Sequence, residues 1–436
     1  MDHAPQSELV VRYTIEPQPH RNPVQGNDYR TTVRPDFFHT ILHLSLLHPV
    51  LSQSDKMRFR VEFVGFTTQR QKVFSSFGEG EGPFEFESSL DRLLHSTIMA
   101  GTIDSAVRII ENNKIAVAVE PANWSFSVEQ LADAVEKVVR IHREFFRDHS
   151  DTWFLVTLSS RPMSGPAGIS MGGTALGNAF SMYCTTNLSL NPSNPESKRA
   201  YWLLAHEYFH NWNGIKIPTA GEDPQTYWFS EGFTNFFARR LMHRSGLIND
   251  SGFADDLNRT LAMFDNSPHR SAPNSFIAKG FWTDRYAQEL PYQRGDLAAL
   301  WLDEQIRLKS NGAKSVDDFL LDLFHNPPKD DLITCDTLLS QIEPWISTEA
   351  AQLLRAAVVE GKDLPLPEEI RLPRLKLSSG VVRGFDPNFD TDAARTSGMI
   401  TGVKEDSAAY AAGLRNGQKL RRFEIQQGGP TDGSFG

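Results

Sequence analysis

The chain has 436 residues, 40% of them hydrophobic and 29 of them Phe, which is material for a large core and, at roughly 150 residues each, for two to four domains. Lys and Arg number 44 against 54 Asp and Glu, a formal net charge of −10; a nucleic-acid surface would want a basic patch, so nucleic acid is not an expected partner. The two cysteines, Cys184 and Cys335, are too few and too far apart for a disulfide framework or a four-cysteine zinc site.

The chain opens MDHAPQSELVV, with no basic segment leading into an apolar one, and no apolar run reaches the roughly 18 residues of a membrane span. The expectation is a soluble protein, cytoplasmic if this N-terminus is native, periplasmic or secreted if a leader has been removed. Up to residue 122 the pattern is strand-like. ELVVRYTIEP (8–17), FFHTILHLSLL (37–47), MRFRVEFVGF (57–66) and KIAVAVEPA (114–122) carry β-branched and aromatic residues in partial alternation, broken by Pro, Gly and Asn. They predict an all-β N-terminal domain, 1–122, of sandwich type. SFSVEQLADAVEKVVRIHREFFRD (125–148) changes to helical spacing, and TWFLVTLSS (152–160) returns to a strand before a Gly-rich stretch ending at Gly177.

From Asn194 to Gly361 helices dominate. NPESKRAYWLLAHEYFHNWNG has Asn194 as N-cap, Pro195 at the first helical position and Gly214 past the end. FSEGFTNFFARRLMHRSG predicts a second helix closed by Gly246. YQRGDLAALWLDEQIRLKSNG predicts a third, ending at Asn311 and Gly312. SVDDFLLDLF and STEAAQLLRAAVVEG predict two more. The tail from 366 reads as strands and loops.

The chemistry concentrates in LLAHEYFHNW (203–212). His206 and His210 are four apart, so on a helix both can face one metal ion. Glu207 follows His206, rotated about 100° around the helix, where a carboxylate can act as a base without being a ligand. The chain carries its own control: HTILH (39–43) has the same spacing but no glutamate and lies in strand-like sequence. His39 and His43 are therefore assigned to structure. His48, His95, His142, His243 and His325 are read as surface or satisfied core groups. A catalytic zinc takes three protein ligands, and two histidines with a glutamate are a standard set. Glu231, 21 residues after His210 in the aromatic setting WFSEGF, is the candidate third ligand. An acidic residue at a helix start also suits the helix dipole. Asn235, one turn further, is either a group that orients a ligand or a surface polar residue.

HEYFHNWNGIKIP, WFSEGFTNFFARRLMHRSGLI and PYQRGDLAALWLDEQIRLKSNGAKSVDDFL, in that order, resemble the glycyl aminopeptidase family of gluzincin metallopeptidases. The likeness runs from about Asp151 to Pro367. It implies an α+β multidomain protein: the β-rich N-terminal domain, a thermolysin-like, mostly helical catalytic domain (123–365) and a PDZ-like C-terminal segment (366–436). It implies one zinc per chain on His206, His210 and Glu231, with Glu207 as general base. Tyr292 in PYQRGDL would donate to the developing oxyanion, as a phenol can near neutral pH; Tyr286 is its near competitor.

In relatives the stretch matching GISMGGTALGNAF (168–180) is an edge strand that holds the substrate main chain, with a glutamate for the free amine. Here Gly172, Gly173, Thr174 and Ala175 stand as substrate-binding candidates, but they and Leu176 and Gly177 supply no carboxylate, and Asn178 marks the motif's end. A buried ammonium wants an anionic partner; Glu222, Asp223 and Glu289 are the available acids. The C-terminal stretch SGMITGVKEDSAAYAAGLRNGQKLRRFEI (397–425) resembles a PDZ core, with VVRGFD (381–386) as its peptide-facing strand and no second helix before Gly436. A small β appendage fits the composition equally. The expected function is a zinc-dependent peptide hydrolase of the glycyl aminopeptidase type acting on peptide substrates. The alternatives are a zinc endopeptidase or non-peptide hydrolase, given the missing amine anchor, or a catalytically silent binding protein.

Overall fold

A computed structural model describes residues 10–16, 31–48, 56–66, 71–161, 169–191, 194, 196–219, 224–328, 333–371, 373–380 and 388–420. Among them the N-terminal part is built on two sheets. The first orders β1 (Thr32–Arg34), β2 (Phe37–Ile41), β7 (Thr97–Thr102), β4 (Gln71–Ser75) and β5 (Gly78–Glu79), all antiparallel. Beside it β3 (Lys56–Val61) and β6 (Phe84–Ser89) form an antiparallel ribbon that sets Phe59 opposite Phe86, and a short helix α1 (Leu90–Leu94) follows β6. Residues 10–16, part of the predicted first strand, form no strand; Val10 and Val11 are exposed and have no core to alternate against.

The second sheet is mixed. Its order is β11 (Met171–Ala175), β12 (Ala179–Thr185), β10 (Trp153–Arg161), β9 (Asn113–Val119) and β8 (Asp104–Ile110). β10 runs parallel to both neighbours, which suits its largely apolar run Phe154–Leu158, buried throughout and interrupted only by Thr157, whose hydroxyl lies 3.1 Å from His39 Nε2. This sheet takes strands from both sides of residue 122. The two sheets share one core, where Phe37, Phe74 and Met99 meet Ala116, Ala118 and Leu155. Trp153 joins them, stacked on Phe74 and donating its indole N–H to the Ser75 carbonyl at 2.9 Å.

The helical part follows its sequence signals closely. α2 (Val128–Phe146) opens with a reciprocal capping box, Ser127 with Gln130. α3 (Ser197–Phe209) starts later than predicted. Asn194 accepts from the Glu196 N–H in a turn ahead of the helix, and Pro195 lies outside the described residues. α4 (Tyr227–Ser230), α5 (Gly232–Arg244), α6 (Asp250–Asp265) and α7 (Asn274–Gly280) come next. α8 (Arg285–Lys309) begins seven residues before the predicted Tyr292, because the Asp284 carboxylate caps Tyr286 and Ala287 and Pro291 is carried inside the helix. It is the spine against which α4, α5, α6, α7 and α9 (Val316–His325) pack. α10 (Cys335–Ile342) and α11 (Thr348–Glu360) complete this part, α11 ending on left-handed Gly361 as its sequence predicts. The α+β arrangement expected from the sequence is thus present: the two sheets and their ribbon, with α1 and α2 between strands, to residue 185, and helices from 197 to 360.

The chain divides into compact units 1–375 and 376–436. In the second, α12 (Thr391–Ser397) and α13 (Ala408–Ala411) surround a small core of Ile400, Val403 and Ala409. The expected strand after Ser397 is a single bridge, Met399 with Lys419; the proposed peptide-facing strand 381–386 lies outside the described residues.

Candidate metal centre

α3 presents His206 from its last turn, and His210, its C-cap residue, follows one turn on. Glu231 sits at the junction of α4 and α5. The three side chains converge. His206 Nε2 is 3.2 Å from His210 Nε2, and Glu231 Oε2 is 3.2 Å from the first and 3.4 Å from the second. Among the described residues they form the one group of His, Cys, Asp or Glu placed to hold a metal ion. Their chemistry fits that ion. His210 Nδ1 lies 3.0 Å from the Asn213 carbonyl, so that nitrogen keeps its proton and Nε2 is the nitrogen that would bind a metal ion once its own proton is displaced. Ligands at about 2.0–2.1 Å around a tetrahedral zinc stand roughly 3.3 Å apart, close to the spacing of these three atoms.

The surroundings set the charges. Burial alone would raise Glu231, but the two imidazoles hold it well below the ordinary carboxylate range. Burial likewise opposes protonation of His210, and the Glu231 carboxylate outweighs it, lifting the imidazole to about 9. Glu207, on the same helix, is raised by burial against the pull of both histidines; its carboxylate accepts from the Ala175 main-chain N–H, tying it to strand β11. Tyr292 on α8 lies over His206, rings 6.3 Å apart, and its hydroxyl reaches the Glu231 carboxylate. Burial and then the two glutamates push its phenol well up, which keeps it a donor. Tyr286, the competitor, is 42% exposed, edge-on to His269.

Two features behind the site escaped the sequence reading. Asn213 is fully buried; its amide donates to the Phe229 carbonyl at 3.0 Å, the Ser230 carbonyl at 3.2 Å and Thr234 Oγ1 at 3.1 Å. One residue thus fixes the His210 ring and the turn that carries Glu231. The second is a glycine crossing. A Cβ on Gly295 would lie 1.7 Å from the Trp228 carbonyl oxygen, and one on Gly232 would lie 2.3 Å from Gly295 Cα. α5 and α8 touch backbone to backbone there, next to Glu231 and one turn from Tyr292. The loop after α3 is pinned too: Trp212 Nε1 donates to Asp148 at 2.8 Å, and Lys216 joins Asp148 to Asp151.

The remaining candidates are placed as follows. β11 is the outer strand of its sheet and packs beside α3. Its glycines answer an internal need as well: a Cβ on Gly172 would meet the Tyr183 hydroxyl at 2.3 Å, and one on Gly173 the Phe180 ring at 2.0 Å. Thr174 and Ala175 complete the strand. Asn178 turns away, donating to the Ser76 carbonyl at 2.7 Å. Asn235 Oδ1 and His206 Nδ1 are both buried without a hydrogen-bond partner, so no bond joins Asn235 to a histidine. Glu289 is paired with Arg285 at 2.7 Å; Glu222 and Asp223 lie outside the described residues. Of the decoy pair, His39 is buried among hydroxyls and His43 lies in a short 3-10 turn. His142 is a buried core group, its Nδ1 2.7 Å from the Val138 carbonyl.

Residues 199–290 match the M61 glycyl aminopeptidase family. No curated protein matches by sequence. Three solved structures are similar in fold. An aminopeptidase N family protein from Idiomarina loihiensis superposes with a TM-score of 0.66 at 19% identity, over 89% of this chain and 72% of its own. An M1 zinc metallopeptidase mutant from Deinococcus radiodurans, bound to a Tyr-Ser-Ala substrate, gives 0.50 at 17%, over 80% and 75%. Native yeast LTA4 hydrolase gives 0.50 at 16%, over 77% and 52%. At these identities the likeness is one of fold. Among the described residues no helix is long and apolar enough to cross a membrane.

Proposed function

We propose that the chain, with the glycyl aminopeptidase signature across its motif helices and the fold of the aminopeptidase N proteins, is a zinc-dependent peptide hydrolase. The observation that carries this reading is the convergence of His206, His210 and Glu231 within 3.4 Å of one another, with Glu207 and Tyr292 facing them. His206 Nε2, His210 Nε2 and the Glu231 carboxylate hold one ion, and Asn213 keeps His210 in the tautomer that binds it. A zinc held there supplies Lewis acidity, which polarises a carbonyl and makes water easier to deprotonate.

The chain's own groups do the rest. The Glu207 carboxylate takes the proton of the attacking water and returns it to the leaving nitrogen. Tyr292 Oη donates to the oxygen on which negative charge builds. Strand β11, from Gly172 through Thr174 to Ala175, offers an edge along which an extended peptide lies beside α3. No Ser or Cys nucleophile is required, since the attacking group is water.

The family match favours removal of an N-terminal residue. One observation favours internal cleavage: β11 carries no carboxylate for a free amine, and Glu289 is already paired. Peptides with free and N-acetylated ends separate the two. Slower cleavage after acetylation marks an aminopeptidase; equal rates mark an endopeptidase. Glu207→Gln should keep about one zinc per chain by metal analysis while the hydrolysis rate falls by roughly 10² to 10⁴. Cleavage at the wild-type rate would remove Glu207 from the mechanism.

A further inference from the structure

From Thr152 to Pro195 the sequence contains no Asp or Glu, although 54 of its 436 residues are acidic. The stretch holds β10, β11 and β12, but its connections 162–170 and 186–195 lie outside the strands, so strand composition alone does not empty it of acids. Arg161 is its one Lys or Arg. β11, the strand on which a peptide would lie, is thus built into an acidic protein without a negative charge of its own.

Each end of β11 has an arginine beside it. At the Gly172 end the Tyr183 hydroxyl lies 2.3 Å from where a Cβ of that glycine would stand, and the Arg161 guanidinium rests on the Tyr183 ring, 5.2 Å from its centre. At the other end, two residues past Ala175, a Cβ on Gly177 would lie 3.1 Å from Arg92 Nη1 and 3.5 Å from Arg92 Nη2. Both cations can be reached. Arg92 is exposed; Arg161 is partly buried, but none of its nitrogens is among the groups closed off from solvent. Among the described residues neither guanidinium has a carboxylate or a hydrogen-bond partner. The neighbouring acids are committed elsewhere. Asp91 faces His95 at 3.3 Å, Glu120 is held by Arg34 and by the Ser160 N–H, each at 2.6 Å, and Glu207 is bound to the Ala175 N–H. The neutral groups along the strand, the hydroxyls of Thr174 and Tyr183 and the main-chain amides, serve an amide side chain as well as a carboxylate. Only the two arginines discriminate between them.

Resting on the peptidase reading above, we propose that the chain selects acidic peptides: an extended segment lies along β11 with a carboxylate on Arg161 at one end, a carboxylate on Arg92 at the other and uncharged residues between them. The net charge of −10 repels such a peptide at long range, so a preference for it has to come from cations at the binding strand. Calorimetry on the zinc-loaded Glu207→Gln variant of the whole chain reads binding without turnover. The probes are hexapeptides, acetylated and amidated at their ends: Glu-Glu-Ala-Ala-Glu-Glu, Gln-Gln-Ala-Ala-Gln-Gln and Lys-Lys-Ala-Ala-Lys-Lys. Their symmetry serves either direction along the strand. The glutamate peptide should bind about tenfold tighter than the glutamine peptide, as two exposed ion pairs allow, and the lysine peptide should bind weakest. Arg92→Gln and Arg161→Gln, made singly in that background, should each cut the preference about threefold and leave the melting temperature and the affinity for the glutamine peptide unchanged. Equal or weaker binding of the glutamate peptide overturns the proposal, as does an undiminished preference in either single variant. Cleavage of free and acetylated peptides by the wild type decides the peptidase reading separately. A chain that cleaves none of them, yet binds the glutamate peptide tightest through both arginines, loses that reading and keeps this one.

Discussion

At the scale of single residues, His39 shows how this fold fixes a protonation state. Its Nε2 is 3.1 Å from Thr157 Oγ1 and its Nδ1 3.0 Å from Ser159 Oγ. Thr97 and Ser181 add two further hydroxyls, and no carboxylate is among its partners. Burial pulls the imidazole from 6.5 down to about 4. The unfolded chain takes up this proton near pH 6.5 and the folded chain does not. His39 therefore costs nothing above pH 6.5, and stability falls as the pH drops from 6.5 toward 4, by about 3 kcal/mol in all. Denaturant unfolding at steps between pH 7 and pH 4 should show a steeper loss for the wild type than for His39→Gln; parallel curves would mean that His39 titrates alike in both states. The same residue marks the reach of sequence reading. HTILH and HEYFH share a spacing, and the glutamate and helical period rightly separated the decoy from the converging pair. Asn213 was invisible because its value comes from three acceptors 16 to 21 residues away, and nothing local distinguishes that asparagine from its neighbour Asn211.

At the scale of elements, the helices that carry the site were legible where the cue is local. Ser315 and Ser347 cap their helices and Gly361 ends one in the left-handed region, as their positions in sequence suggest. Boundaries slipped where a local rule met a stronger one. The third helix was expected to start at Tyr292, just after Pro291, yet the Asp284 cap starts α8 at Arg285 and the helix carries Pro291 within it. The crossing of α5 and α8 was not legible at all. Gly295 lies mid-helix, where glycine costs up to about 1 kcal/mol against alanine. The contact with the Trp228 carbonyl shows why alanine is worse here. Gly295→Ala must push α8 away from α4 and α5, at about 3 kcal/mol for an overpacked contact, and the displacement acts on Glu231 and Tyr292 together. Thermal unfolding several degrees lower, with a weakened affinity for zinc in a competition titration, is the expected outcome. A variant with wild-type melting temperature and zinc affinity would show that the crossing relaxes without moving the site.

At the scale of the molecule, the N-terminal sheet is a wall of the catalytic half. Sequence patterning located strands but could not tell that β8 and β9 join β10 to β12, because parallel pairing between residues about 40 apart leaves no turn signal. The consequence is shared burial. Phe37, Phe74 and Met99 cover Ala116, Ala118 and Leu155, the sheet whose outer strand β11 touches α3 and Glu207. Removing residues 1–103 would strip that cover, strand the Trp153 indole N–H that now reaches Ser75, and leave an apolar sheet face in water, at roughly 25 cal/mol for each Å² exposed. The shortened chain should keep its helical far-ultraviolet circular dichroism, since α2 through α11 cap and pack among themselves, while losing near-ultraviolet signal and binding a hydrophobic dye. Zinc affinity should fall with it, because Glu207 and the ligand helix lose the sheet edge that fixes them. A shortened chain that unfolds cooperatively at the wild-type temperature, dye-free and fully zinc-loaded, would show instead that the mixed sheet and the helices stand as a folding unit without the N-terminal strands.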